Sequence, residues 1–127
     1  MIISIGCDAI EHQEILKLRW GADLKSANRI FTENEVEIYR SAPKITFLAG
    51  RFAVKEAVLK CLGTGMEDGI PLTDIETLRS KSGKPILKIK GEVKRLADEI
   101  GIDLWHVSIT HKKSSSMSFV IAERLKA

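Results

Sequence analysis

The run RFAVKEAVLKCLGTG, Arg51 to Gly65, has the composition of a helix buried on nearly every side. Wound at about 3.6 residues per turn, it sends Phe52, Ala53, Val54, Ala57, Val58, Leu59, Cys61 and Leu62 around almost the whole cylinder. Its charges, Arg51, Lys55, Glu56 and Lys60, cannot form one solvated stripe, because Phe52 and Leu59 fall between the Arg51/Lys55 edge and the Glu56/Lys60 edge. Charges held at an apolar helix need partners or a charged ligand, so the helix reads as the wall of an active site. The plainer alternative is a core helix carrying a Glu56–Lys60 pair at i, i+4.

Working outward, Pro43 separates this helix from what precedes it and sets its start near Ile45. Gly63-Thr64-Gly65 closes it as a C′ glycine does. Glycines that follow a helix are not a Walker loop, whose glycines precede one and aim its N-terminus at the anion. Phosphate near this turn would have to be held by lysines or a metal ion.

Upstream, the β-branched run Ile2 to Cys7 predicts a buried strand, with Asp8 where that strand gives way to a helix. Asp8-Ala9-Ile10-Glu11 has capping-box spacing, which would by itself account for Asp8. From Glu11 to about Ser41 the pattern is helical but broken. Gly21 ends one piece, and Thr32-Glu33-Asn34-Glu35 has the spacing that starts another. Lys17, Arg19, Lys25 and Arg29 are scattered through it, a pattern that also suits an ordinary solvated face.

Downstream, Leu72 to Arg79 and Pro85 to Ile89 read as strands joined by Lys81-Ser82-Gly83-Lys84, Glu92 to Ile100 as a helix, and Leu104 to His111 with Met117 to Glu123 as a hairpin. Period two puts Leu104, His106, Ser108 and Thr110 on one face, opposite Trp105, Val107 and Ile109. That row of imidazole and hydroxyl groups suits phosphate oxygens and equally suits solvent.

A chain of 127 residues is expected to be one domain, 1–127, short for a fully enclosed cleft, which makes a site shared between subunits plausible. Its 20 Lys and Arg against 17 Asp and Glu leave a net charge of only +3, weak support for a polyanionic partner. Aromatic residues at 6% and no stacking pair disfavour a nucleic-acid module. Cys7 and Cys61 lie far apart in apolar surroundings, read as reduced small hydrophobes in a cytoplasmic protein. Met1 to Asp8 carries no basic n-region or cleavage-like segment, so it is not expected to be a signal peptide, and no apolar run is long enough for a bilayer. A hydrolase built on Ser108 with His106 or His111 lacks the GxSxG elbow.

Four stretches together, IGCD at Asp8, FLAGRFAVKEAVLKCLGTG, GKP at Gly83 to Pro85 and HVSITH at His106 to His111, stand in the order and spacing of the phosphopantetheinyl transferases. The chain resembles their short, single-repeat branch, the holo-acyl-carrier-protein synthases, over nearly its whole length. The resemblance implies an α+β fold, mainly antiparallel sheet packed on a long central helix. It implies transfer of 4′-phosphopantetheine from coenzyme A to a serine of an apo-acyl carrier protein, releasing adenosine 3′,5′-bisphosphate.

By the same resemblance, Asp8 and Glu56 are the protein ligands of a magnesium ion that also binds the coenzyme's pyrophosphate, as a hard cation with phosphate and water ligands would allow. Lys55 and Lys60 go to the phosphates, with Lys60 near the bond that breaks. Arg51 binds a phosphate or braces the helix. His106, Ser108 and Thr110 line the nucleotide pocket, Gly63, Thr64 and Gly65 let backbone approach the ligand, and Lys84 and Pro85 are further cofactor contacts. The proton acceptor stays open between Glu56 and a water on the metal. Larger relatives place a site between two copies of this unit, so one copy implies a homo-oligomer, by preference a trimer, with sites at subunit interfaces. Lys17, Arg19, Lys25 and Arg29 become the docking surface for an acidic carrier. The chain departs from the pattern at two places: Glu14 stands where members often have a basic residue, which points to a different carrier, and Lys112 to Ser116 lacks a common tyrosine; a sister enzyme acting on a polyketide or peptide-synthesis carrier is the alternative.

Overall fold

The computed structural model describes residues 1–20 and 23–125. Its order is β1 (Ile2–Glu11), α1 (His12–Lys17), α2 (Leu24–Ala27), α3 (Glu33–Ser41), α4 (Ile45–Cys61), β2 (Ile75–Arg79), β3 (Pro85–Ile89), α5 (Gly91–Ile100), β4 (Leu104–His111) and β5 (Ser115–Glu123). The architecture is α+β: an antiparallel sheet in the order β1-β5-β4 lies against α4, and β2-β3 forms a second antiparallel pair.

Helix α4 begins at Ile45, after Pro43, and its C-terminal carbonyls are met by the turn at Gly63, whose φ of 74° is the left-handed C′ conformation. It is buried along most of its length and is common to both hydrophobic cores. Val54, Val58 and Leu59 pack with Leu72, Ile75, Val93 and Val120. On the other side Leu48, Ala49 and Ala53 pack with Ile15, Trp20 and Phe31. Helix α3 starts with the capping box at Thr32, whose Oγ1 accepts from Glu35 N at 3.2 Å while Thr32 N donates to Glu35 Oε1 at 3.0 Å. Gly21 lies outside the described residues; α1 ends at Lys17, before it.

Several expectations are corrected. Strand β1 does not yield to a helix at Asp8. It runs on to Glu11 because β5 offers an antiparallel partner along its whole length, Asp8 facing Ser118 and Glu11 facing Ser115. Asp8 is therefore no cap, and Glu11, the residue before α1, makes no side-chain capping bond. Nor is β1 wholly buried: Ile2, Ile5 and Cys7 are exposed on the sheet face away from α4, where Cys7 lies across from Phe119. Leu72–Asp74 is a short 3₁₀ turn, so β2 starts only at Ile75. Cys61 is buried as expected, and desolvation pushes its thiol up to about 11. Among the described residues no helix is long and apolar enough to cross a membrane.

Candidate active site

Gly6 is the hinge of the site's construction, because its missing side chain lets β1 rest directly on α4. A Cβ there would stand 2.0 Å from the Ala57 carbonyl oxygen and 3.1 Å from Cys61 Sγ. Two residues along the same face of the strand, Asp8 is thereby laid beside the Glu56/Lys60 edge of the helix. Lys60 Nζ donates to Asp8 Oδ1 and to the Cys7 carbonyl, each at 3.0 Å. The plain helix pair Glu56–Lys60 is thus not what forms; Lys60 turns to the strand.

Glu56 is left with an unmet need. Its Oε1 is buried and accepts no hydrogen bond among the described residues, and its pKa is raised above the ordinary carboxylate value by burial and next by the neighbouring Asp8 charge. Two carboxylates from different elements, one with an orphaned oxygen, are a fit for a divalent cation. Among the described residues no group of three or more His, Cys, Asp and Glu side chains could hold a metal alone. A pair of acidic ligands suits a hard ion that completes its sphere with substrate phosphates and water, as magnesium commonly does.

Lys55 is the clearest departure from the expected site. It is fully buried, and its ammonium meets Glu35 Oε1 at 2.8 Å, the Leu72 carbonyl at 3.1 Å and the Ile75 carbonyl. Three N–H donors have three acceptors, so none remains for a phosphate. Burial pulls its pKa down, opposed by Glu35, whose other oxygen accepts from Thr77 N at 3.0 Å. Lys55 is an internal strut joining α4, α3 and β2.

Arg51 looks into a different space, a cavity of about 550 Å³ lined also by Lys44, Arg79, His111, Ser41 and Thr46. Its guanidinium lies 4.3 Å from the Phe47 ring centroid, its Nε is buried without a hydrogen-bond partner, and desolvation followed by the Arg79 charge lowers its pKa. Cations gathered with no lining carboxylate among the described residues, one with an unsatisfied buried N–H, have the chemistry that suits an anion. His111, Arg79 and Lys44 were not among the residues expected from sequence. The strand period carried the signal for His111, which falls on the inward, Trp105 face of β4.

The polar row on β4 alternates as predicted: His106, Ser108 and Thr110 are exposed, while Trp105, Val107 and Ile109 turn inward. His106 Nε2 lies 2.9 Å from Glu123 Oε1. With Lys84 and Pro85, His106 lines a second cavity of about 560 Å³. Ser108 and Thr110 stand across from Phe119 and Met117, on the sheet face opposite Asp8. The structure thus gathers Asp8, Glu56 and Lys60, gathers Lys84, Pro85 and His106, and keeps the two groups apart within one chain. Gly63 to Gly65 sits at the end of α4, with Thr64 Oγ1 and Gly65 N both donating to Asp68 Oδ2. Lys17, Arg19, Lys25 and Arg29 are all exposed, as is Glu14.

Residues 4–122 match the family model of the 4′-phosphopantetheinyl transferase superfamily. The chain is 41% identical over 124 residues to the holo-[acyl-carrier-protein] synthase of Nitratidesulfovibrio vulgaris, covering 97% of this chain and 99% of that protein. A holo-(acyl-carrier-protein) synthase from Bacillus anthracis in complex with CoA (3′,5′-ADP) superposes with a TM-score of 0.79 at 35% identity, covering 98% of each chain. The Neisseria meningitidis holo-[acyl-carrier-protein] synthase gives a TM-score of 0.87 at 30% identity, over 98% of this chain and all 100% of that one. Motifs, fold and relatives agree over nearly the whole length, and the chain belongs to the 4′-phosphopantetheinyl transferase superfamily.

Proposed function

We propose that this protein transfers 4′-phosphopantetheine from coenzyme A to a serine hydroxyl of an apo-acyl carrier protein, with release of adenosine 3′,5′-bisphosphate. The observation that carries the reading is the meeting of Asp8 and Glu56 beside Lys60, with Glu56 Oε1 buried and unpartnered. Asp8 and Glu56 would hold magnesium, which when bound supplies neutralisation of the diphosphate charge. Lys60, half exposed and held by Asp8 and the Cys7 carbonyl, swings its ammonium from Asp8 to a phosphate oxygen and steadies charge on the leaving side. The carrier serine attacks the β-phosphorus in line, its P–O bond forming as the bond to the nucleotide phosphate breaks. Most of the rate comes from holding these groups in place.

Arg51 and Glu56 are about 140° apart around α4 and about 7.5 Å along it, so the cationic cavity and the acid pair face different ways. A coenzyme carrying both a diphosphate and a separate ribose phosphate would use both through neighbouring chains, its diphosphate at Asp8 and Glu56 of one and its ribose phosphate at Arg51, Arg79 and His111 of the next. The outer sheet face supports such an assembly: Ile5, Met117 and Phe119 are exposed as an apolar stripe beside His106, Ser108 and Thr110. A homotrimer closes that arrangement with every site shared. Lys84, Pro85 and His106 then supply nucleotide contacts, and Gly63, Thr64 and Gly65 flank the acid pair. Lys17, Arg19, Lys25 and Arg29 receive an acidic carrier helix, and the two free thiols suit the cytoplasm.

Incubating candidate apo-carriers with the protein, coenzyme A and magnesium, and measuring intact carrier mass, tests this directly. Gain of one phosphopantetheine mass on the carrier serine is expected; no gain on any fatty-acid, polyketide or peptide-synthesis carrier overturns it. Glu14, an exposed acid on α1, favours including the latter two carriers in the panel.

A further inference from the structure

A serine hydroxyl stands between two imidazoles at the edge of the cationic cavity. His111 Nδ1 is 2.7 Å from Ser116 Oγ, and His12 Nε2 is 2.8 Å from the same oxygen. Ser116 and His12 are buried, while His111 reaches the cavity. The three come from β4, β5 and α1, and His111 lies against α4 at Gly50, where a Cβ would come within 2.9 Å of its Cε1. With Nδ1 committed to Ser116, Nε2 is the ring's remaining polar atom for a ligand.

The hydroxyl has one proton to share between two rings. When Ser116 donates to His111 Nδ1, His12 Nε2–H donates to Ser116, and His111 is a neutral ring with its proton on Nε2. When His111 is an imidazolium, its Nδ1–H donates to Ser116, and Ser116 must donate to an unprotonated His12 Nε2. Both rings charged would leave the buried hydroxyl proton without either partner. In each satisfied state with a proton on Nε2, that N–H is aimed away from Ser116, toward the cavity.

We propose that Ser116 and His12 are positioning residues for coenzyme binding, fixing the plane and proton count of His111 so that Nε2–H meets a phosphate held by Arg51 and Arg79. This rests on the cavity reading given above. The groups facing His111 are His12 from α1, Arg51 from α4 and Arg79 from β2, with Lys44 also on the cavity wall; no lining carboxylate is among the described residues. Burial first, then His12, Arg51 and Arg79, holds the His111 pKa below its ordinary value, so at neutral pH the neutral ring is favoured when the cavity lacks an anion. A phosphate dianion offsets those cations and draws a proton onto the ring. The ring's contribution to affinity is then fully present below its free pKa and is lost as pH rises through its value in the complex.

The test uses the full-length protein, with adenosine 3′,5′-bisphosphate as the binding probe and coenzyme A as the substrate. Calorimetry in buffers of different ionisation enthalpy across the pH range counts protons taken up, and steady-state kinetics gives KM and kcat. Wild type should take up close to one proton per probe within the pH window between the two His111 values, about none outside it. Ser116→Ala and His12→Phe should lose that uptake, with KM for coenzyme A at neutral pH rising about three- to tenfold and kcat holding within about twofold. His12→Gln, which retains an acceptor for the serine proton, should restore the wild-type profile. Circular dichroism and melting establish folding of each variant; if Ser116→Ala fails to fold, the His12→Phe and His12→Gln pair decides. Wild-type KM and proton uptake in the folded Ser116→Ala or His12→Phe variant overturns the positioning role. If Arg51→Ala and Arg79→Ala leave probe affinity unchanged, it is the cavity reading itself that falls.

Discussion

Gly6→Ala is a one-carbon change that probes how the fold makes the site. The added Cβ would lie 2.0 Å from the Ala57 carbonyl oxygen, against the 3.4 Å at which ordinary contact begins, so strand and helix must separate by about 1.4 Å. The obstacle is helix backbone, with Cys61 Sγ a further 3.1 Å contact, so no flexible side chain can swing aside. Overpacking of this kind costs about 2 kcal/mol. For a domain of this size that is a fall in Tm of roughly 5–10 °C. Because Asp8 rides on the same strand face, it moves away from Glu56, and a displacement of about 1 Å at reacting groups costs on the order of a hundredfold in rate. Thermal melting with carrier-loading kinetics below the lowered Tm measures both effects. Wild-type melting and turnover would refute the contact; a lowered Tm with unchanged kcat/KM would refute the claim that this contact sets the acid pair.

Removing either partner of the buried Lys55–Glu35 pair, by Lys55→Met or Glu35→Leu, should cost about 3–5 kcal/mol in urea unfolding, and the double variant should lose much less than the sum. Since the folded Glu56 pKa is raised, its ionisation opposes folding: the stability of its protonated form is lost as pH rises through the folded value. Glu56→Gln should therefore melt above the metal-free wild type at neutral pH, with the gap closing as pH falls below the ordinary glutamate value. Phe119→Asp, on the exposed sheet face, should convert an oligomer to monomer in light scattering and abolish carrier loading with it.

What the sequence made legible were features whose causes are local. Pro43 and Gly63 bound α4, and Thr32 with Glu35 starts α3, because caps and breakers act within a turn or two. Asp8 misled for the same reason: its spacing to Glu11 satisfies a local capping rule, but the partner that keeps β1 extended is β5, more than a hundred residues on. Lys55 and Lys60 look alike along the chain, and only the approach of Glu35 on one side and Asp8 on the other separates a buried strut from a reachable ammonium. His111 stands inside the HVSITH motif, but nothing local marks it as a site residue, since its role depends on Arg51 and Arg79 converging from α4 and β2. The pairing of Asp8 with Glu56 came from resemblance; composition and periodicity do not reach across 48 residues.

The central claim is that Asp8 and Glu56 jointly hold a divalent ion against the coenzyme's diphosphate. Calorimetric titration of coenzyme A into wild type, Asp8→Asn and Glu56→Gln, each with and without magnesium, tests it most directly. Magnesium is expected to tighten binding to wild type by about tenfold or more and to do nothing for either folded variant. Equal magnesium enhancement in all three proteins would contradict it.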